Sequence, residues 1–181
     1  EGAWSYFQKI GEKESFYKLL ERLGNTYQRQ GKSAKAIAVF SRILKESPLR
    51  KSNAKTQIKI VSLFDALGKP AEVVKQIKKL NKGFANKDSP WRKAHSSDVA
   101  WLQETDKKIE LTARQYGTQI HQIGQKDKNK KTLLYAALIY SQYLSMFPEH
   151  KNAYDIEYYL ADIYYDLQKY LHAAKHFTRI S

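Results

Sequence analysis

The chain has 181 residues, 42% of them hydrophobic, with 32 Lys+Arg against 18 Asp+Glu for a formal net charge of +14, and no cysteine. That length carries one sizeable core or a short array of small units, the apolar fraction excludes a wholly disordered chain, and the missing thiols exclude disulfides, cysteine nucleophiles and thiolate zinc sites. No uninterrupted apolar run approaches the roughly 20 residues of a membrane-spanning helix, while the positive field would draw nucleic acid, anionic lipid or an acidic protein without choosing among them.

Taken in chain order, apolar residues recur at three- and four-residue spacing, and the pattern predicts helix nearly throughout, with no strand. In "YKLLERLGNTYQRQGKSAKAIAVFSRILKESP" Leu20, Leu23 and Tyr27 form one stripe, Gly31 breaks the chain, Ala36, Phe40, Ile43 and Leu44 form the next, and Pro48 ends the unit. A second pair follows in "IKIVSLFDALGKPAEVVKQIKKL", with Ile60, Val61 and Phe64 before Gly68 and Val73, Ile77 and Leu80 after Pro70. "NKGFANKDSPW" reads as a loop. One long helix is then expected in "SSDVAWLQETDKKIELTARQYGTQIHQIG", capped by Ser96 or Ser97, followed by the charged turn "QKDKNKK". Residues 81–131 are thus either an enlarged repeat helix or a break between two short solenoids. "AALIYSQYLSMFP" supplies Ala136, Tyr140, Tyr143 and Pro148, and the last pair is "EYYLADIYYDLQKYLHAAKHFTRI". The final residues stop inside an amphipathic pattern, so the sequence reads as a piece of a longer chain.

A helix pair this small cannot bury its apolar face alone, and stacked neighbours are the physical reason for repetition. Leu20, Leu23, Gly24, Tyr27, Ala36, Phe40, Ile43 and Pro48 keep the spacing of W-x-x-L-G-x-x-Y, A-x-x-x-F and P, and the unit resembles the tetratricopeptide repeat, with Leu20 replacing the tryptophan. In the last unit Leu160, Ala161, Tyr164, Ala173, Phe177 and Ile180 fall in register, with Glu157 at the tryptophan position. The resemblance implies an all-α, right-handed α-α superhelix of about eight or nine helices. It would be a single solenoid over 1–181, with repeat-like units at about 17–50, 54–84, 97–148 (degenerate, with an enlarged first helix) and 154–181 (truncated).

A search for chemistry finds little. The glycines form neither a dinucleotide fingerprint nor a phosphate loop, and "HAAKH" sets His172 and His176 four apart without a third ligand, so the pair reads as a surface feature. Asp155, Glu157, Asp162 and Asp166 show no environment that would split their pKa values for acid–base work. No catalytic residue, metal or cofactor is indicated, and the chain reads as a non-enzyme. Between Arg29 and Lys87 basic residues meet only Glu46, Asp65 and Glu72, which leaves an alternative: a basic module docking on nucleic acid or an anionic envelope surface through residues 29–87. Lysine outnumbers arginine there and the aromatics fall on core stripes, so nucleic acid is disfavoured.

The segment "YDIEYYLADIYYDL" is wholly acidic and rich in tyrosine within this basic chain. Helical spacing puts Ile156, Leu160, Ile163, Tyr164 and Leu167 on a packing stripe and Asp155, Tyr158, Asp162, Tyr165 and Asp166 on another face. By the resemblance, those five occupy positions that contact ligands in the concave groove, and Lys18, Glu21, Asn25, Gln28 and Arg29 are their counterparts in the first unit. The candidate partner-binding residues are therefore Asp155, Tyr158, Asp162, Tyr165, Asp166, Asn25, Gln28 and Arg29. The expected partner is another protein, presenting a peptide or helix segment with Lys or Arg; self-association of the acidic end with the basic half of a second copy is a further arrangement. "YYLADIYYDLQKYLHAAKHF" is similar to repeats of bacterial periplasmic and outer-membrane adaptors, which implies an envelope scaffold.

Overall fold

A computed structural model describes residues 13–180. Among the described residues there are nine α-helices and no strand: α1 (Lys13–Arg29), α2 (Ser33–Glu46), α3 (Asn53–Ala66), α4 (Pro70–Leu80), the five-residue α5 (Pro90–Ala94), α6 (Val99–Lys126), α7 (Lys130–Met146), α8 (Ala153–Asp166) and α9 (Tyr170–Phe177). They pair as four antiparallel hairpins, α1/α2, α3/α4, α6/α7 and α8/α9, each packed on the next. The chain is an all-helical solenoid.

One turn closes all four hairpins. The residues just past the first helices, Gly31, Gly68, Lys128 and Gln168, have φ of 70°, 63°, 48° and 59°. Each left-handed residue lets the following N–H reach back to a carbonyl of the last helical turn, satisfying an acceptor that the helix end leaves open. Lys32 donates to Tyr27 O at 2.9 Å, Lys69 to Phe64 O at 3.0 Å, Asn129 to Gly124 O at 2.9 Å and Lys169 to Tyr164 O at 2.8 Å. The linkers into α3 and α8 also match: Arg50 N–H donates to Ser47 O and His150 N–H to Phe147 O, just after Pro48 and Pro148.

Within the first hairpin the packing is set by a missing side chain. A Cβ on Gly24 would lie 2.4 Å from Phe40 Cε1, so α1 and α2 approach through a glycine that admits the phenyl ring. Gly117 plays the same part for Tyr140 and Gly124 for Leu133, where α6 meets α7. In the second hairpin the positions in register with Gly24 and Phe40 are Val61 and Ile77, both fully buried. A smaller ring-side partner there leaves room for a larger residue opposite, which is a volume-conserving exchange.

Two clusters of buried residues form the core. One takes in Phe16, Leu20, Phe40, Ile43, Ile60 and Leu63. The other runs from Ala54 and Val61 through Ile109, Ala113, Tyr140 and Tyr143 to Leu160 and Ile163. Leu44 and Phe64 pack against both. The segment 81–131 is thus part of the larger core rather than a gap in it.

Three expectations need correction. "NKGFANKDSPW" is not a loop: Asn81–Ala85 is one turn of π-helix and Pro90 begins α5, capped by Ser89, which accepts from Arg92 N at 3.2 Å. Trp91 is driven into the core, its indole N–H donating to Arg50 O at 2.8 Å, and Arg92 forks onto Asp106 of α6 at 2.5 and 2.6 Å. The cap of α6 is Asp98, accepting from Trp101 N at 3.3 Å, and neither Ser96 nor Ser97. Leu23 is 41% exposed rather than buried, because Phe16, Tyr17 and Leu20 already fill the α1 stripe.

Candidate partner-binding face

Successive first helices touch through polar side chains, and those contacts draw one face across the solenoid. Asn25 of α1 accepts from Lys59 Nζ of α3 at 2.7 Å, and Asp65 of α3 accepts from Gln119 of α6 at 3.1 Å. His121 of α6 meets the Tyr159 ring of α8 edge-on at 6.2 Å. Lys59 is half-buried, and desolvation, helped by Lys55 and opposed by Glu21, pulls its amine below the ordinary lysine value. Burial and the charge of Asp65 likewise push the Tyr116 hydroxyl upward, against a hydrogen bond with Ser62.

On α8 the expected stripe is at the surface. Tyr158 and Tyr165 are 47% and 59% exposed; Asp155 and Asp166 are exposed and Asp162 is half-buried. Tyr158 rests edge-on against Phe177 of α9 at 5.8 Å, and Tyr165 against Tyr170 at 5.5 Å. Tyr158 also meets the Tyr159 ring at 6.2 Å, so both tyrosines are braced by neighbouring rings while about half of each stays exposed. Asp162 and Asp166 act on His121: burial pulls this imidazole down, and the two carboxylates partly restore its proton affinity. His121 Nδ1 lies 3.3 Å from the Tyr140 hydroxyl, whose own burial pushes it up to about 12.

The first-unit residues stand apart from these. Asn25 is taken up by Lys59, Arg29 Nη2 donates to Thr26 Oγ1 of its own helix at 3.3 Å, and Gln28 is exposed. α3 and α6 separate α1 from α8 in the sequence of contacts. Asn25 and α8 therefore lie at the two ends of a row of first helices linked through Lys59, Asp65, Gln119 and His121. Spacing within repeats could not single out those bridging residues, because the third unit has a 28-residue first helix and its register against α3 depends on the packing of α5 and the π turn.

Glu157 is not part of an exposed acidic run. It is 7% exposed, with His176 Nδ1 2.7 Å away and Arg179 Nη1 donating at 3.3 Å. A buried carboxylate at the tryptophan position thus ties α8 to the end of α9, and His176, stacked on Tyr164 at 5.4 Å, is not a free metal ligand. No group of three His, Asp or Glu among the described residues converges to hold a metal.

A parallel device sits at the hairpin linkers. Arg50, 9% exposed, forks between Glu14 at 2.9 and 3.2 Å and Glu21 at 2.9 Å. Glu110 accepts from Arg114 at 2.7 Å, the Tyr143 hydroxyl at 2.8 Å and Asn152 at 3.1 Å. Several cations of the 29–87 stretch are also committed: Arg50 as above, Lys51 to Asp98, Arg42 to Glu46 and Lys75 to Glu72. The basic surface is patchier than the residue count implies.

No family model matches the chain, and no curated protein matches it. Solved structures do. A kinesin light chain from Podosopora anserina with nearly identical TPR-like repeats is 14% identical, at a TM-score of 0.34, covering 94% of this chain and 95% of that one. MamA is 15% identical at 0.35, covering 91% and 89%. Both are distant likenesses; the helical-hairpin architecture rests on this chain's own turns and packing.

Proposed function

We propose that the chain is a non-enzymatic scaffold that holds a segment of another protein along the face of its first helices, with α8 as the selective end. One observation carries this reading. Among the described residues Asp155, Asp162 and Asp166 have no ion-pair partner, although the chain carries +14. They flank Tyr158 and Tyr165, which offer broad amphipathic contact at small entropic cost. Uncompensated carboxylates beside exposed rings favour a segment that presents Lys or Arg with an apolar residue between.

Peptides selected from a randomised display library on the whole chain test the reading. Selected sequences should be enriched in Lys or Arg and lose at least tenfold in affinity against Tyr158→Ala/Asp162→Lys. Enrichment in acidic peptides, or indifference to that variant, would defeat it. We also propose an envelope setting, supported only by the likeness of residues 158–177 to repeats of bacterial envelope adaptors. Fractionation of cells expressing the native gene checks it, and recovery solely with cytoplasmic markers would reject it.

A further inference from the structure

A second site lies away from this face, where α2, α4, the π turn and α5 meet. It is a cavity of about 610 Å³, within the range that holds small organic ligands. Its walls include Leu44, Pro48, Phe84 and Trp91. Phe84 and Trp91 meet edge to face at 5.0 Å, and the indole N–H is already spent on Arg50 O. Gln57, also in the wall, donates its amide to Gln76 at 2.9 Å.

The polar groups at the mouth all have one sign. Lys75, Lys78, Lys79 and Lys82 line the cavity and no carboxylate does. Their three- and four-residue spacing along α4 and the π turn puts like charges side by side, an arrangement that weakens a helix. Lys75 is relieved by Glu72; Lys78, Lys79 and Lys82 have no ion pair among the described residues. Unopposed cations over an apolar floor call for a ligand that brings both an anion and a hydrocarbon body. The π turn itself, a distortion that recurs at functional sites, is what carries Gly83 and Phe84 into the wall.

The geometry points to a binding site for a small amphipathic carboxylate, its chain against Phe84 and Trp91 and its head at Lys78, Lys79 and Lys82. Sources of such a ligand are a free fatty acid or a hydrolysed lipid product. Dodecanoate, kept below its micellar concentration and titrated into the whole chain by calorimetry, is the probe, with dodecanol and dodecyltrimethylammonium for comparison. The expected result is saturable one-to-one binding of dodecanoate, at least tenfold tighter than either comparison compound, with the margin shrinking in high salt. Lys78→Glu/Lys82→Glu should abolish the preference for carboxylate while leaving the fold unchanged, since both side chains are exposed and unpaired. Gly83→Leu should block binding of all three compounds. A Cβ there meets nothing within 4 Å and Gly83 has no positive φ, so the variant keeps its backbone. Equal binding of the three compounds, binding that survives both variants, or lysine-dependent sedimentation with phosphatidylglycerol vesicles in the absence of dodecanoate binding would each overturn the assignment. The last result would make the patch a membrane contact instead.

Discussion

Gly24 and Phe40 occupy the same space: a methyl group on the glycine would sit 2.4 Å from the phenyl ring. Phe40 is fully buried and cannot swing outward, so Gly24→Ala should cost about 1–3 kcal/mol through overpacking. Replacing the ring as well, with Phe40→Leu, should recover part of that loss. Urea unfolding of the two single variants and the double variant gives the coupling; additive losses would mean that the helices do not meet through this pair.

Lys128 and Gln168 hold left-handed φ values without being glycine, where Gly31 and Gly68 serve the first two hairpins. A side chain in that region is strained by roughly 1 kcal/mol, part of which glycine gives back as extra freedom of the unfolded chain. Lys128→Gly is expected to stabilise by a few tenths of a kcal/mol to about 1 kcal/mol. Gly31→Ala should destabilise by a similar amount or more. Denaturant midpoints check both signs.

These turns also show what could be read from residues alone. The first hairpin was legible because its special positions carry the residues that physics prefers there, Gly24 against a ring and Gly31 at positive φ. The second lost the glycine of the close approach when Ile77 replaced a ring. The third turn was legible as the charged stretch "QKDKNKK" and the fourth from the register of the last unit, but their left-handed positions were not, because Lys128 and Gln168 stand where a glycine would have marked them. The stretch 81–91 looked like a loop because Asn, Lys, Gly and Pro cluster there; what orders it is long-range, Trp91 reaching Arg50 and the neighbouring Arg92 reaching Asp106. On the candidate face, the α8 stripe followed from helical spacing. Lys59, Gln119 and His121 did not, since their place depends on how neighbouring hairpins sit.

Glu110 provides a pH signature. Burial alone would raise its pKa, but hydrogen bonds from Arg114, Tyr143 and Asn152 outweigh that and hold the carboxyl below its ordinary value. A depressed folded-state pKa contributes stability that is complete above the unfolded carboxylate value and is lost as pH falls through the folded value. Glu110→Gln should therefore cost roughly 1–3 kcal/mol near neutral pH. The gap from wild type should close as the pH drops below the ordinary glutamate range. A gap that stays constant down to the acid transition would contradict this account of the network.

His121 reports on the acidic stripe without any partner. Asp162 and Asp166 raise the proton affinity that burial lowers, so Asp162→Asn should move the imidazole titration to lower pH. Because the folded imidazole then resists its proton more strongly, that variant should also lose more stability than wild type as pH falls through the histidine range. An NMR titration of the ring protons measures the first effect. An unmoved or upward shift would place Asp162 away from α6.

The central claim is that binding belongs to the first-helix face and that α8 selects the partner. The most direct measurement is the affinity of one library-selected basic peptide for three proteins: wild type, Tyr158→Ala/Asp162→Lys and Lys78→Glu/Lys82→Glu. The account predicts a loss of tenfold or more for the α8 variant and no loss for the lysine variant. Retained affinity in the α8 variant, with loss in the lysine variant, would contradict it.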